Sequence, residues 1–196
     1  MAKVSNVRRG PPGKIRIIGG EWRSRRLSIP EGTGVRPTPD RVRETLFNWL
    51  RDTIAGACCL DLCAGSGALG FEALSRGAAQ VYFVERDPKL IAALREHAAA
   101  FGVNPRIIRQ DAESFLRGIV HERFDVVFVD PPYDSALDPM LELLPRWLKS
   151  RAVIYVERPR VPGLPQTDQG TWLKRSTAGA VEYGLLTLID PNAGAT

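Results

Sequence analysis

Histidine is scarce in this 196-residue sequence, present only as His97 and His121, and cysteine is confined to Cys58, Cys59 and Cys63. Three clustered thiols make no disulfide framework. Neither they nor the two distant histidines have the spacing of metal ligands, so no metal is expected. The cysteines read instead as small buried hydrophobes. Long apolar runs are also missing, since nothing approaches the roughly 18–20 residues of a membrane span. The opening stretch, Met1 to Arg9, lacks the apolar core of a signal peptide. A cytoplasmic protein without a membrane partner is expected, and a monomer. Acidic residues are sparse at the start: residues 1–43 hold eleven Lys/Arg against Glu21, Glu31 and Asp40. That segment carries +8 of a chain whose net charge is +5, leaving −3 for the rest. A basic arm on a mildly acidic body points to a polyanionic partner, the alternative being a merely solvated tail.

What is present falls into a basic start and an alternating body. Residues 1–13 contain Gly10-Pro11-Pro12-Gly13 and read as an arm. Lys14–Ile18 and Trp22–Ile29 flank Gly19-Gly20, the signature of a two-residue hairpin. Arg16, Trp22, Arg23, Arg25 and Arg26 mix guanidinium groups with a stackable ring, a composition suited to RNA. Thr38 as N-cap, Pro39 at the first position and Asp40 in the first turn predict a helix. Val42, Thr45, Leu46, Trp49 and Leu50 form its apolar face, with Arg41, Arg43, Asn48 and Arg51 directed elsewhere. Strands are predicted near 58–63, 81–85, 106–109, 124–129 and 152–157, and helices near 67–76, 88–101, 112–119 and 138–149. Continuous apolar strands alternating with amphipathic helices mean an α/β fold with a parallel sheet covered on both faces. Trp172–Thr177 and Val181–Ile189 predict an antiparallel hairpin closing one edge. The division expected is 1–37 for arm and hairpin extension, and 38–196 for the catalytic domain.

The first body strand runs into Asp61-Leu62-Cys63-Ala64-Gly65-Ser66-Gly67-Ala68-Leu69-Gly70, with Glu85 twenty residues beyond Gly65. This spacing is close to a dinucleotide fingerprint, so an NAD enzyme is one reading. Acid placement favours S-adenosylmethionine instead. Asp61, Glu85, Asp111 and Asp130 each close a strand, where open α/β sheets bind ligands. So much negative charge repels a pyrophosphate and suits a sulfonium bearing an amino group. Gly65 and Gly67 let backbone approach a ligand, Glu85 can accept from ribose hydroxyls, and Asp111 with Ala112 can take the adenine amine. The alternative for Asp111 is a cap on the following helix.

Asp130-Pro131-Pro132-Tyr133 follows the apolar run Phe124–Val129. Asp and Pro are common turn residues, so a simple turn is one reading. The other is a grip on a flat amine: the Asp130 carboxylate and Pro131 carbonyl accept both amine hydrogens, the prolines hold the backbone rigid, and Tyr133 stacks on the base. Beside a methyl donor that grip would serve direct methyl transfer to a base nitrogen.

These residues resemble the RsmD-like family of bacterial 16S ribosomal RNA guanine-N2 methyltransferases, of the Rossmann-like adenosylmethionine-dependent class. The resemblance covers nearly the whole chain. It rests on Arg16-Ile17-Ile18-Gly19-Gly20, Arg36-Pro37-Thr38-Pro39-Asp40-Arg41-Val42-Arg43-Glu44, Leu46-Phe47-Asn48, the glycine loop Asp61–Gly70, Glu72–Gly77, and Val129-Asp130-Pro131-Pro132-Tyr133. It implies methylation of one guanine's exocyclic N2 amine in 16S rRNA of the small ribosomal subunit. It further implies that the hairpin and arm hold the RNA, and that Thr38 and Arg41 line the methionine end of the cofactor. Rival readings are an amino-methyltransferase acting on DNA adenine or a protein amide, and a noncatalytic RNA-binding factor on the same fold.

Overall fold

The computed structural model describes residues 13–35, 38–132 and 137–188. The expected arm, up to Pro12, and Tyr133 lie outside the described residues. Two short strands, β1 (Lys14–Arg16) and β2 (Arg26–Ser28), pair antiparallel. Then come α1 (Asp40–Trp49), β3 (Cys58–Asp61), α2 (Ala68–Ser75), β4 (Gln80–Glu85) and α3 (Pro88–Phe101). They are followed by β5 (Arg106–Arg109), α4 (Ala112–Arg117), β6 (Phe124–Val129) and α5 (Asp138–Leu143). The chain ends its described part with β7 (Leu148–Pro159), β8 (Gly170–Ala178) and β9 (Val181–Leu188).

The main sheet has seven strands in the order β5-β4-β3-β6-β7-β9-β8. From β5 to β7 the neighbours are parallel, and β9 and β8 complete the edge antiparallel. The run Phe124–Val129 is almost wholly buried because β6 is central and covered on both faces. One face packs against α1, α2, α3 and the N-terminal hairpin, with Phe71, Phe83, Val126 and Phe128 at its centre. The other packs against α4 and α5 through Leu116, Phe124, Leu141 and Trp147. The chain order reverses between β3 and β6, which is where ligands of open α/β sheets sit, at the carboxyl ends of the strands.

Several expectations need correction. The helix predicted to 149 stops at Leu143, where Pro145 converts the chain to a 3₁₀ turn, Leu144–Trp147. Trp147 is fixed there by its indole N–H, which donates to the Leu116 carbonyl at 2.9 Å. β7 therefore starts at Leu148, with an irregular register against β6 between Phe124 and Val126. Gly19-Gly20 is not a two-residue hairpin turn. Pairing continues from Lys14↔Ser28 through the Ile17 N–H to the Arg25 carbonyl at 2.8 Å, and a wider loop closes it.

That loop is stitched to α2 instead. The Ile18 and Gly19 amides donate to the two Glu72 oxygens (2.7 and 2.8 Å), and the Ser75 hydroxyl donates to the Gly19 carbonyl (2.6 Å). Gly20 adopts φ +76°, and a Cβ there would lie 1.8 Å from the Ser75 carbonyl oxygen, so no other residue fits. Ile15, Ile17, Trp22, Leu27 and Ile29 belong to the same core cluster as the sheet. The hairpin expected as an extension thus shares the core of the body.

Candidate active site

Four of the predicted site residues, Asp61, Glu85, Asp111 and Asp130, follow or end β3, β4, β5 and β6 along one edge of the sheet. Each carboxylate already has local work. Asp61 is buried and accepts from the Gly70 amide at 3.0 Å, tying strand end to the first turn of α2. Burial pushes its pKa up to about 8, with the Gly70 bond opposing and Glu85 adding to the rise. Glu85 accepts from the Gly65 amide at 2.8 Å with one oxygen and from the Arg86 and Asp87 amides (2.7 and 2.8 Å) with the other. Asp111 caps α4, accepting from the Ser114 amide at 3.0 Å, and Ser114, through its side chain and then its amide, holds the carboxyl below the usual range. Of its two predicted readings, the cap is the one formed, with Ala112 buried as the first helical residue.

Between β3 and α2 the loop carries Gly65 at φ +53° and Gly67 at φ +77°. The two glycines are needed for different reasons. A Cβ on Gly67 would press on Leu94 and Phe71 at 2.5 and 2.8 Å, so packing beneath α2 by itself requires glycine there. A Cβ on Gly65 would meet Val35 at an ordinary 3.5 Å, and only its backbone conformation favours glycine.

Asp130 follows β6, with Pro131 buried and Pro132 exposed. Thr38 is expected to cap α1, but Pro39 takes that position and no side-chain cap forms. The Thr38 hydroxyl instead donates to Asp130 Oδ2 at 3.1 Å, bringing the start of α1 onto the end of β6. Across the sheet Val129 pairs with Val156, which sets Glu157 beside Asp130. Glu157 is 4% exposed and accepts from the Tyr155 hydroxyl at 2.7 Å. Burial, then the charge of Glu157, then more weakly Asp61 raise the Asp130 carboxyl well above the usual range, while the Thr38 bond pulls it down. Burial also raises Glu157, against the Tyr155 bond. Arg41 is exposed on α1.

The residues predicted to meet RNA divide. Arg23 and Arg26 are exposed. Arg16 is exposed but pairs with Asp40 at 2.6 Å. Arg25 donates to the Ala100 carbonyl at 2.6 Å and lies 4.1 Å over the Phe101 ring. Trp22 is the correction: it is 6% exposed and stacks on Phe101 with centroids 4.5 Å apart and planes 3° from parallel. The contact that seals the hairpin to α3 removes this ring from any base.

Arg43, expected to point away from the core, is fully buried. Its guanidinium donates to the carbonyls of Thr38 and Arg16 (3.3 and 2.9 Å) and to Asp40 Oδ1 (2.6 Å), and lies 3.7 Å from Glu72. One cation therefore joins the hairpin, the start of α1 and α2. Burial alone would push Arg43 down, and Asp40 and Glu72 oppose that.

A family profile described as Conserved hypothetical protein 95 matches residues 15–187. The chain belongs to this family. The span of the Conserved hypothetical protein 95 profile takes in the hairpin as well as Asp130, in keeping with their shared core. Ribosomal RNA small subunit methyltransferase D of Escherichia coli K12 is 47% identical over 180 residues, covering 88% of this chain and 89% of that protein. Its namesake from Haemophilus influenzae is 43% identical over 180 residues, covering 88% and 93%. The solved structure of yhhF from Escherichia coli superposes with a TM-score of 0.83 at 42% identity, covering 91% of this chain and 99% of that one.

Sequence reasoning missed Glu157, Tyr155 and the Arg43–Glu72 pair. For Glu157 a signal existed: it closes the apolar run Ala152–Val156 just as Asp130 closes Phe124–Val129. The Arg43–Glu72 pair had none, because the two residues meet only through the tertiary fold.

Proposed function

We propose that this chain transfers a methyl group from S-adenosylmethionine to the exocyclic N2 amine of a guanine in 16S rRNA of the small ribosomal subunit. The observation that carries the reading is the placement of Asp130 at the exit of β6, next to the glycine loop at the exit of β3. Relatives named for small-subunit rRNA methylation, at 43–47% identity across most of the chain, supply the substrate class.

The acids along the sheet edge fit a cationic cofactor. Asp61, Glu85 and Asp130 are held by amide and hydroxyl donors, and those of Asp61 and Asp130 are raised by burial, so added positive charge stabilises their ionised forms. Gly65 presents backbone at the same edge, Glu85 stands behind it for the ribose, and Asp111 and Ala112 stand at the adenine side. When bound, the cofactor supplies an electrophilic methyl on sulfur.

The chain's own part is positioning. Asp130 and the Pro131 carbonyl accept the two amine hydrogens and turn the nitrogen lone pair toward the methyl, and Tyr133 stacks on the base. Thr38 fixes Asp130 Oδ2, leaving Oδ1 to face the amine. After transfer the nitrogen sheds a proton to the acids at the strand ends. Arg16, Arg23, Arg25 and Arg26 hold the phosphate backbone, and Arg41 faces the cofactor's methionine end.

The test is methyl transfer from labelled S-adenosylmethionine to small subunits, naked rRNA and duplex DNA. Digestion and mass spectrometry would then place the label. Label on guanine N2, lost with Asp130→Ala while RNA binding persists, is the expected result. Label on DNA or on another base nitrogen would overturn the substrate assignment, and unchanged turnover in the variant would remove Asp130 from the chemistry.

A further inference from the structure

The amine of a stacked guanine cannot reach a carboxylate at the bottom of a sheet edge, so the target nucleotide must leave its stack. Proteins that open a stack often fill the gap with an apolar side chain. Among the described residues the exposed large hydrophobics are Ile119 at 74%, Val161 at 86% and Leu173 at 49%. Ile119 follows the C-terminus of α4, which runs back from the carboxyl edge toward the opposite edge. Leu173 lies in the middle of the edge strand β8, between Trp172 and Lys174, at the level of Leu185 and Leu186. Val161 is the one of the three on the catalytic rim.

Its position follows from strand register. β7 runs parallel to β6, with Val156 opposite Val129, and continues to Pro159 opposite Val181. The Arg160 amide then donates to the Ala180 carbonyl at 2.8 Å, and the Gly163 amide closes the turn on the Pro159 carbonyl at 3.0 Å. Leu164 anchors the far side: it is buried, and its amide donates to Glu182 Oε2 at 3.0 Å. With a rise of about 3.3 Å per residue and strands about 4.8 Å apart, Val161 lies no more than about 15 Å from Asp130. That distance suits the nucleotides flanking one held at Asp130.

The charge beside it suits RNA. Arg160 is exposed, and Lys174 and Arg175 are exposed on β8, one strand beyond β9. The Glu182 carboxylate is taken up by Arg175, which donates to it twice at 3.2 and 2.7 Å, so Arg160 keeps the turn positive. Leu164 packs with the α4–α5 face, so this basic turn stands on that side of the catalytic edge.

We propose that the Arg160–Val161 turn is an RNA-contact surface, with Arg160 on a phosphate and Val161 wedged against the stack that the target nucleotide leaves. This rests on the methyltransferase reading above. The experiment uses the full chain and small subunits purified from cells lacking its activity. Arg160→Glu and Val161→Asp should each raise KM for subunits at least about tenfold. Affinity for S-adenosylmethionine by calorimetry and Tm should stay at wild-type values. Val161→Leu should retain wild-type KM, and Arg160→Glu should flatten the salt dependence of subunit binding by roughly one phosphate contact. An unchanged KM in both charge variants, with the wild type active, overturns the surface while leaving the methyltransferase reading intact. Cofactor affinity falling in step with KM also overturns it, since the turn would then act through the body. A wild-type chain inert toward subunits would remove the RNA substrate, and this surface with it.

Discussion

Replacing Thr38 by Val and Glu157 by Gln should move the acid limb of the pH–rate profile in opposite directions. Ionised Asp130 accepts an amine hydrogen more strongly than the neutral acid, so activity falls as pH drops through its pKa. That pKa is raised by burial and by Glu157, and lowered by the Thr38 hydroxyl. The other groups facing it are Asp61 from β3, Cys63 beyond it, and Tyr155 through Glu157 from β7. Thr38→Val keeps shape and removes the donor, so the ionised form loses its bond and the limb moves to higher pH. A hydrogen bond to a charged acceptor is worth about 1.5–3 kcal/mol, and 1.4 kcal/mol is tenfold in rate. On the acid side of the limb, kcat/KM should therefore fall by roughly 10- to 100-fold. Thr38→Ser should restore it. Glu157→Gln keeps an acceptor for the Tyr155 hydroxyl and removes the like charge, so the limb moves to lower pH and acid-side activity rises. The assay is kcat/KM for small subunits across pH at saturating cofactor. Limbs that stay in place, or move together in both variants, would refute this account of Asp130.

The remaining expectations concern stability and RNA. Asp61 has a folded pKa of about 8, above the ordinary value of about 3.9 for the unfolded chain. The folded state thus binds more protons between those values, and stability is lost as pH rises through that window. Asp61→Asn should remove this loss, as urea melts at several pH values would reveal; an unaltered pH slope would place the effect elsewhere. Arg43→Met takes the buried cation from Glu72 and Asp40 while Arg76 stays on Glu72 and Arg16 on Asp40, and should cost about 1–3 kcal/mol in the same melts. Gly20→Ala, with its Cβ driven into the Ser75 carbonyl at positive φ, should destabilise by more than the roughly 1 kcal/mol of an ordinary substitution. Arg23→Ala with Arg26→Ala should weaken RNA binding and flatten its salt slope without changing Tm. Arg25→Ala should lower Tm as well, because its guanidinium is bonded to Ala100 and stacked on Phe101.

The parallel sheet was readable because β3, β4 and β6 are continuous apolar runs, and their flanking acids marked the edge that binds ligands. Local patterns also located α3, where Asp87 caps the helix and Pro88 occupies its first position. What could not be read was long-range. Trp22 sits among four arginines in sequence, and only the approach of Phe101 reveals it as core. Thr38 is the N-cap that residue type favours, but its hydroxyl is given to Asp130, ninety-two residues away, and Pro39 takes the cap position. Arg43 occupies a helix face that polarity alone assigns to solvent, until Arg16, Thr38 and Glu72 surround it.

The seam between hairpin and α2 limits how this protein can be taken apart. The glycine loop and the hairpin seat are the two ends of one helix of eight residues, roughly 12 Å long. Cutting away the hairpin would uncover Glu72 and take the Arg16 carbonyl from Arg43. Grafting in a foreign hairpin to redirect RNA choice would do the same, unless the graft brought amides to replace those of Ile18 and Gly19. The hairpin is therefore no interchangeable adaptor. Its sequence is free to vary on the outer arginine face, while its backbone is committed to bonds with Glu72 and Ser75 of α2 and Arg43 of α1.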